Sequence, residues 1–374
     1  MSSKTGITVA ALLIAEGVYL NALQFDPLSP ALGNNTVSVN DSRIDGNDVR
    51  DNLRPVMDFL SELPTREKGR YPIIWIGNSH LHAINDLQPG DELSSVVLHR
   101  LLNGDRWPGQ RPVFGISYPN LTFEEQFLLT VGIVGLPEDR RPRLIIHGVR
   151  FHDAREMGVR RELRPLLFTS GFSAWLQRFK DTVPSTVAER LVADIESAAA
   201  EQRKDTGAEA WLVEKIGNHV PIFEKRELLY FSVYNGLYRL RDFVFQIDTK
   251  TKRPILDARY AIAVNFLDLA VMTAREGGAD VLLYNVPLRQ EGETPYLATQ
   301  YRKYRQDLAG IAARHNAAFR DYDDLISNEQ WGTWYATDYP DFSHFTGEGH
   351  RTLARKVKQD IAPLTGANGA RRDR

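Results

Sequence analysis

The 374-residue chain contains no cysteine. Disulfide frameworks, thiol nucleophiles, cysteine-held zinc and iron–sulfur clusters are therefore excluded. It also lacks an excess of either charge, since 46 basic against 48 acidic side chains leave a net −2. No bulk field draws nucleic acid to it, and no basic stripe marks a nucleic-acid-binding face. Internal repeats are absent. With 43% apolar and 25% charged residues, the composition is that of an average globular protein. This excludes a wholly disordered chain, a collagen-like fibre and a multi-span membrane protein. The length admits about two domains or one large α/β domain.

One long apolar run is present. Residues 6–25, GITVAALLIAEGVYLNALQF, have the length that a bilayer-spanning helix needs. Lys4 precedes the run and Asp26 follows it, which favours an inside N-terminus and a body outside the cytoplasm, periplasmic or at the cell surface. A cleaved export signal would show a small-x-small site near 21–25. None stands there, so an uncleaved anchor is preferred to a signal or a buried soluble helix. Glu16, costly in lipid by about 2.5–3.5 kcal/mol, marks either a face for another membrane protein or a weak anchor.

Residues 26–70 are rich in Asn, Asp, Ser, Pro and Gly and read as a tether with one short helix near 56–63. From Tyr71 the pattern changes. Short apolar runs at 72–76, 112–117, 143–149, 281–286 and 318–321 alternate with helical segments. That alternation predicts a three-layer α/β/α sandwich with a parallel sheet of about five strands over 71–364. A helical insertion is expected over 151–257, with a capping box at Thr186 and Glu189. Its aromatic-dense stretch from Leu228 to Phe245 reads as core. Residues 365–374 read as a disordered basic tail.

Two constellations carry chemistry. In IIWIGNSHLHAIND, residues 73–86, an apolar strand ends at Gly77 and a helix follows. Ser79 would then stand at the carboxyl edge of the sheet, where open α/β folds bind ligands. The bland alternative is an N-cap serine. In DYPDFSHFTGEGH, residues 338–350, Asp341 and His344 lie three apart. That spacing lets a carboxylate hold Nδ1–H and leave Nε2 free as a base. His80, His82, His350 and Asp341 could be read as metal ligands, but positions i and i+2 of a helix do not face one another. No metal and no cofactor are expected. His80 and His82 read as one lining the cleft and one facing out, and His350 as packing on the last helix or a fallback base. The charged run Arg150, His152, Asp153, Arg155, Arg160, Arg161 reads as a solvated face, or as a rim that grips a sugar or anionic polymer.

Gly77-Asn78-Ser79 with the distant Asp341-Phe342-Ser343-His344 resembles the SGNH (GDSL-like) hydrolase superfamily. The resemblance implies Ser79 as nucleophile and the pair Asp341 and His344 as its relay. It also implies an oxyanion hole from the amides of Ser79 and Gly115. The family's third-block Gly-x-Asn-Asp is unmatched. HGVRFHD, residues 147–153, stands there instead, leaving Asn120, Arg150 and His152 as substitute donors. GNSHLHAIND, SYPNLTFEEQ and FHDAREMGVR are further similar to the anchored branch that accompanies membrane-bound O-acyltransferases in polysaccharide acylation. Two functions follow as expectations. One is a membrane-anchored serine esterase or acyltransferase acting on acyl esters of a saccharide. The other is a non-catalytic partner that docks on an integral membrane acyltransferase.

Overall fold

The computed structural model describes residues 37–41, 53–54, 59–61, 63, 65, 71–86, 88–104, 106, 110–205, 251–252, 254–291, 294–333 and 340–366. The anchor expected over 6–25 and the aromatic stretch over 228–245 lie outside the described residues. Among those that are described, no helix is long and apolar enough to cross a membrane.

The strands are β1 (Val37–Asp41), β2 (Leu53–Arg54), β3 (Ile73–Gly77), β4 (Val113–Ser117), β5 (Leu144–Val149), β6 (Asp280–Asn285), β7 (Ala318–Asp321), β8 (Trp331–Thr333) and β9 (Pro340–Phe345). The helices are α1 (Ser94–Asn103), α2 (Phe123–Val134), α3 (Ser170–Phe179), α4 (Ser185–Asp205), α5 (Asp257–Glu276), α6 (Ala298–Arg314) and α7 (Gly347–Gly366). Seven strands form one sheet in the order β2-β1-β4-β3-β5-β6-β7, of which β4 to β7 with β3 run parallel. β1 joins β4 and β2 antiparallel. The tether expectation is corrected here, because Ser38 to Asp41 pair with Ser117 to Phe114 and extend the sheet at its edge. β8 and β9 form a separate antiparallel pair.

All five residues of β3, IIWIG, are buried, as expected of a parallel strand covered on both faces. Alternate side chains go to opposite layers. Ile74, Ile76 and Ile145 meet Phe127 of α2, Phe266 of α5 and Leu308 of α6 in one core. Ile73, Trp75 and Ile146 meet Leu98 of α1 and Leu353 and Val357 of α7 in the other. The result is the three-layer sandwich, with the helical insertion seen as two 3-10 turns (Phe151–Ala154 and Arg161–Phe168), α3 and α4. α4 begins at Ser185, so Thr186 lies inside it rather than at its cap. The capping box is instead at α2, where the Thr122 hydroxyl accepts from Glu125 N and the Glu125 carboxylate accepts from Thr122 N. α7 runs to Gly366, two residues into the segment expected to be disordered.

Taken in chain order, the five parallel strands stand 2-1-3-4-5. The winding direction reverses between the first and third of them, β3 and β5. A crevice opens beyond their carboxyl ends at such a point. Ser79 follows β3, and Arg150 follows β5.

Candidate active site

The turn after β3 is built around a missing side chain. A Cβ on Gly77 would meet Leu81 Cδ1 at 2.6 Å and His80 Cε1 at 2.8 Å, so only glycine lets the chain fold back so tightly. Asn78 caps the short 3-10 turn Ser79–Leu81, its side chain accepting from His80 N. Ser79 opens that turn, half-buried. Among the described residues its amide and hydroxyl have no hydrogen-bond partner.

Asp341 and His344 lie on β9. The buried Asp341 carboxylate accepts from His344 N at 3.2 Å and from His344 Nδ1 at 2.8 Å. A carboxylate only accepts, so Nδ1 carries the proton and Nε2 keeps its lone pair. The imidazole is 22% exposed, which leaves it reachable from solvent. Four contacts draw this loop onto the Ser79 turn. Asn85 N donates to Phe345 O at 2.8 Å. Asn85 Nδ2 donates to Asp341 Oδ2 at 3.0 Å. His350 Nε2 donates to Ala83 O at 3.1 Å. The rings of His80 and Phe345, each one residue beyond Ser79 and His344, lie 6.2 Å apart. The Ser79–His344 hydrogen bond itself is not closed, as is common before a substrate tightens such a site.

The other histidines of the two motifs are structural. Both His80 and His82 are buried, which corrects the expectation that one faces out. Burial lowers the His82 pKa to about 3, with His344 and Arg160 adding to the effect. His80 is likewise pushed well down by burial and then by Arg150. His350 accepts from Ser94 N at Nδ1 and donates from Nε2. With both nitrogens engaged and its pKa lowered by burial to about 4, it cannot serve as the fallback base.

His80 belongs to a directed chain of hydrogen bonds. Trp75 Nε1–H donates to the Tyr284 hydroxyl at 3.0 Å, and that hydroxyl reaches His80 Nε2 at 2.9 Å. His80 Nδ1 meets Asn78 Oδ1, and Asn78 Nδ2 donates to both oxygens of Asp153, at 3.0 and 2.9 Å. Trp75 can only donate and the Asp153 carboxylate can only accept, so every proton in the chain has one place. Gly148 makes room for it, since a Cβ there would meet the Tyr284 hydroxyl at 2.3 Å and His80 Nε2 at 2.9 Å.

The expected oxyanion donors fare differently. Gly115 stands in the middle of β4, flanked by Trp75 of β3 and Asn40 of β1. Its amide belongs to the sheet, two residues short of the carboxyl edge, and the role expected of it is corrected. Asn120 is exposed in a left-handed turn (φ 51°). Arg150 and His152, both half-buried, belong to the turn after β5. Burial alone would lower the Arg150 pKa, but Tyr296, Asp153 and Asp341 around it hold it above its usual value. A permanent cation thus lies close to both Asp341 and His80.

The run after β5 is not the solvated face that its charges suggested. Asp153 is 2% exposed. Arg160 donates Nε to Glu125 at 2.7 Å and lies over the Tyr118 ring, 4.5 Å from its centroid. Together with Asn120, Glu125, Arg190 and Asp194 it lines a cleft of about 450 Å³. Sequence reasoning missed Asn85, Tyr284 and the Asn78–Asp153 pair. Only Asn85 left a signal, through its place in the same motif as Ser79.

No family model matches the chain, and no curated protein sequence matches it. Several solved structures are similar in part. A proposed acylhydrolase from Bacteroides fragilis is 13% identical over 82% of this chain and 94% of its own, with a TM-score of 0.39. A GDSL-like lipase from Bacteroides thetaiotaomicron is 12% identical over 82% and 96%, with a TM-score of 0.37. A catalytic mutant of an acetylxylan esterase from Geobacillus stearothermophilus is 10% identical over 80% and 96%, with a TM-score of 0.36. At these values the site is read from its own geometry.

Proposed function

We propose that the chain is a serine ester hydrolase or acyltransferase of the SGNH (GDSL-like) type, acting on acyl esters of an envelope or exported saccharide. Residues 6–25 hold it in a membrane with its body outside the cytoplasm. An integral membrane acyltransferase is its partner. The reading is carried by the Asp341–His344 couple, tied through Asn85 to the turn that bears Ser79. The location rests on the apolar length of 6–25 between Lys4 and Asp26.

In this reaction the Ser79 hydroxyl oxygen bonds to the ester carbonyl carbon while His344 Nε2 takes its proton. Asp341 holds Nδ1–H and steadies the imidazolium that forms. The unpartnered Ser79 amide and the Arg150 guanidinium take up the oxyanion charge, the arginine replacing the missing asparagine. His344 then returns the proton to the leaving alkoxide as the carbon–oxygen bond breaks. Water, or a glycan hydroxyl, attacks the acyl-serine with His344 again as base, releasing acid or a new ester and restoring Ser79.

A fluorophosphonate probe tests this directly. Wild type is expected to label covalently and Ser79→Ala not at all. A folded wild type that stays unlabelled, while deletion of the protein still abolishes polymer acylation in cells, sinks the catalytic reading in favour of the docking partner.

A further inference from the structure

Asp153 has no part in the proton relay, yet it is among the most deeply placed acids of the crevice. We propose that Asp153 is a positioning residue that sets the Ser79 turn by gripping the carboxamide of Asn78. The inference rests on the reading of Ser79 as nucleophile.

Asn78 Nδ2 donates to both Asp153 oxygens, while its Oδ1 accepts from the His80 amide at 3.3 Å and faces His80 Nδ1. The carboxamide is thus used at both ends, one on the turn and one on the acid. Arg150 N donates to Asp153 Oδ2 at 2.8 Å. The same carboxylate therefore fastens the turn after β3 to the turn after β5, across the crevice where the winding reverses. Only donors meet Asp153 in these bonds. Replacing one acceptor oxygen by a donor, or protonating it, sets donor against donor and breaks at least one of them. A nucleophile turn released in this way loses alignment, and a displacement of about 1 Å costs about 10²-fold in rate.

The grip is also open to pH. Burial first, and Glu125 of α2 in addition, raise the Asp153 pKa to about 7, against the opposing pull of Arg150 and Asn78. Tyr304 of α6 also faces it. The grip is complete above that value and loosens as pH falls through it.

The test is an exchange of the two partners, read by the rate of fluorophosphonate labelling. Asn78→Asp sets two carboxylates against each other, which cannot both ionise at contact. Asp153→Asn sets an amide against two donors. Each alone is expected to slow labelling by about 10²-fold. The double variant Asn78→Asp/Asp153→Asn restores complementarity, because the new carboxylate accepts from His80 and from the new amide, whose oxygen accepts from Arg150 N. It is expected to recover to within about 10-fold of wild type, whereas independent effects would multiply to about 10⁴-fold. Asp153→Asn alone should also lose the Asp153 contribution to the acid limb, which becomes less steep. The rates are compared at a temperature where a melt shows each variant folded, so a slow single variant and a recovered double variant report alignment of the turn and not its unfolding. Single variants that label at the wild-type rate, or a double variant as slow as the product of the singles, overturn the inference alone. A folded wild type that does not label overturns the reading of the site, and this inference with it.

Discussion

Two polar regions flank the carboxyl edge of the sheet, and they are built on opposite principles. Around Ser79 the buried histidines are neutral and their bonds directional, with the Arg150 cation beside them. His80, His82 and His350 are held below their usual pKa by burial, and in the run from Trp75 to Asp153 each proton has one place. In the cleft beyond Asn120 the groups are charged and paired. Arg160 meets Glu125, and Arg190 meets both Glu124 and Asp194. Burial, then Asp194, raises the Glu124 pKa to about 8, against the opposing pull of Arg190. Neutral bonds fix the tautomers of His80 and His350, and Asp341 holds the Nδ1–H of His344. Ion pairs fix segments, here the loop after β5 and helix α4, against α2. The Ser79 turn thus sits among directional bonds beside the single Arg150 cation, and the cleft beyond Asn120 among ion pairs.

The sharpest way to break this contrast is to delete one hydroxyl. Ser79→Ala should abolish ester hydrolysis by about 10⁴-fold, by analogy with serine proteases. A calorimetric melt should show no loss of stability, since the hydroxyl has no partner to orphan. Arg160→Ala should do the reverse. It leaves the Glu125 carboxylate, 2% exposed on its side chain, without its cation, and should cost up to about 3 kcal/mol in denaturant unfolding. Labelling of Ser79 at a temperature where the variant is folded should change little. Equal losses of activity in the two variants would erase the distinction.

Asn85→Ala tests the link between the motifs. It removes the donor to Asp341 that comes from the Ser79 motif and should lower kcat by about 10-fold or more with KM unchanged, as loss of an outer orienting bond does. A change confined to KM would assign Asn85 to substrate binding instead. The smallest effect concerns Glu124. A raised pKa means that the folded state holds a proton the unfolded state has released, so this contribution is full below about 4.5 and is lost as pH rises to about 8. The buried histidines act with the opposite sign, but only below about 6.5. Between pH 6.5 and 8 the melting temperature of wild type should therefore fall by a few degrees, at about 2–4 °C per kcal/mol. Glu124→Gln should reduce that slope, and an unchanged slope would place the bound proton elsewhere.

The five parallel strands were legible to within a residue, because strands covered on both faces leave short, wholly apolar runs between turns. Ile73–Gly77 and Leu144–Val149 are of this kind. Val37–Asp41 was not, since VSVND is half polar and pairs only at an edge. The motif brought out Ser79, Asp341 and His344, and the structure joins the last two by a hydrogen bond. The oxyanion glycine was misplaced because a family position fixes a residue and not the end of a strand. β4 runs on to Ser117 and keeps the Gly115 amide in the sheet. Asn78 and Asp153 stand 75 positions apart, and pairing at that range leaves no periodic trace. The charged run after β5 looked solvated because sequence shows the charges but not Glu125, which waits for Arg160 on α2.

The bridges from His350 to Ser94 and from Asn85 to Asp341 each span 256 positions. A chain made from its N-terminus completes the Ser79 segment long before the one that bears Asp341 and His344 exists. Closing so long a loop is among the slow events of folding. Ser79 therefore stays without Asp341 and His344 through most of synthesis, and the two motifs meet only when the C-terminal segment docks on the Ser79 turn. On the proposed reading, labelling of Ser79 by a fluorophosphonate then reports this tertiary step, and a chain that stops before Asp341 is expected not to label.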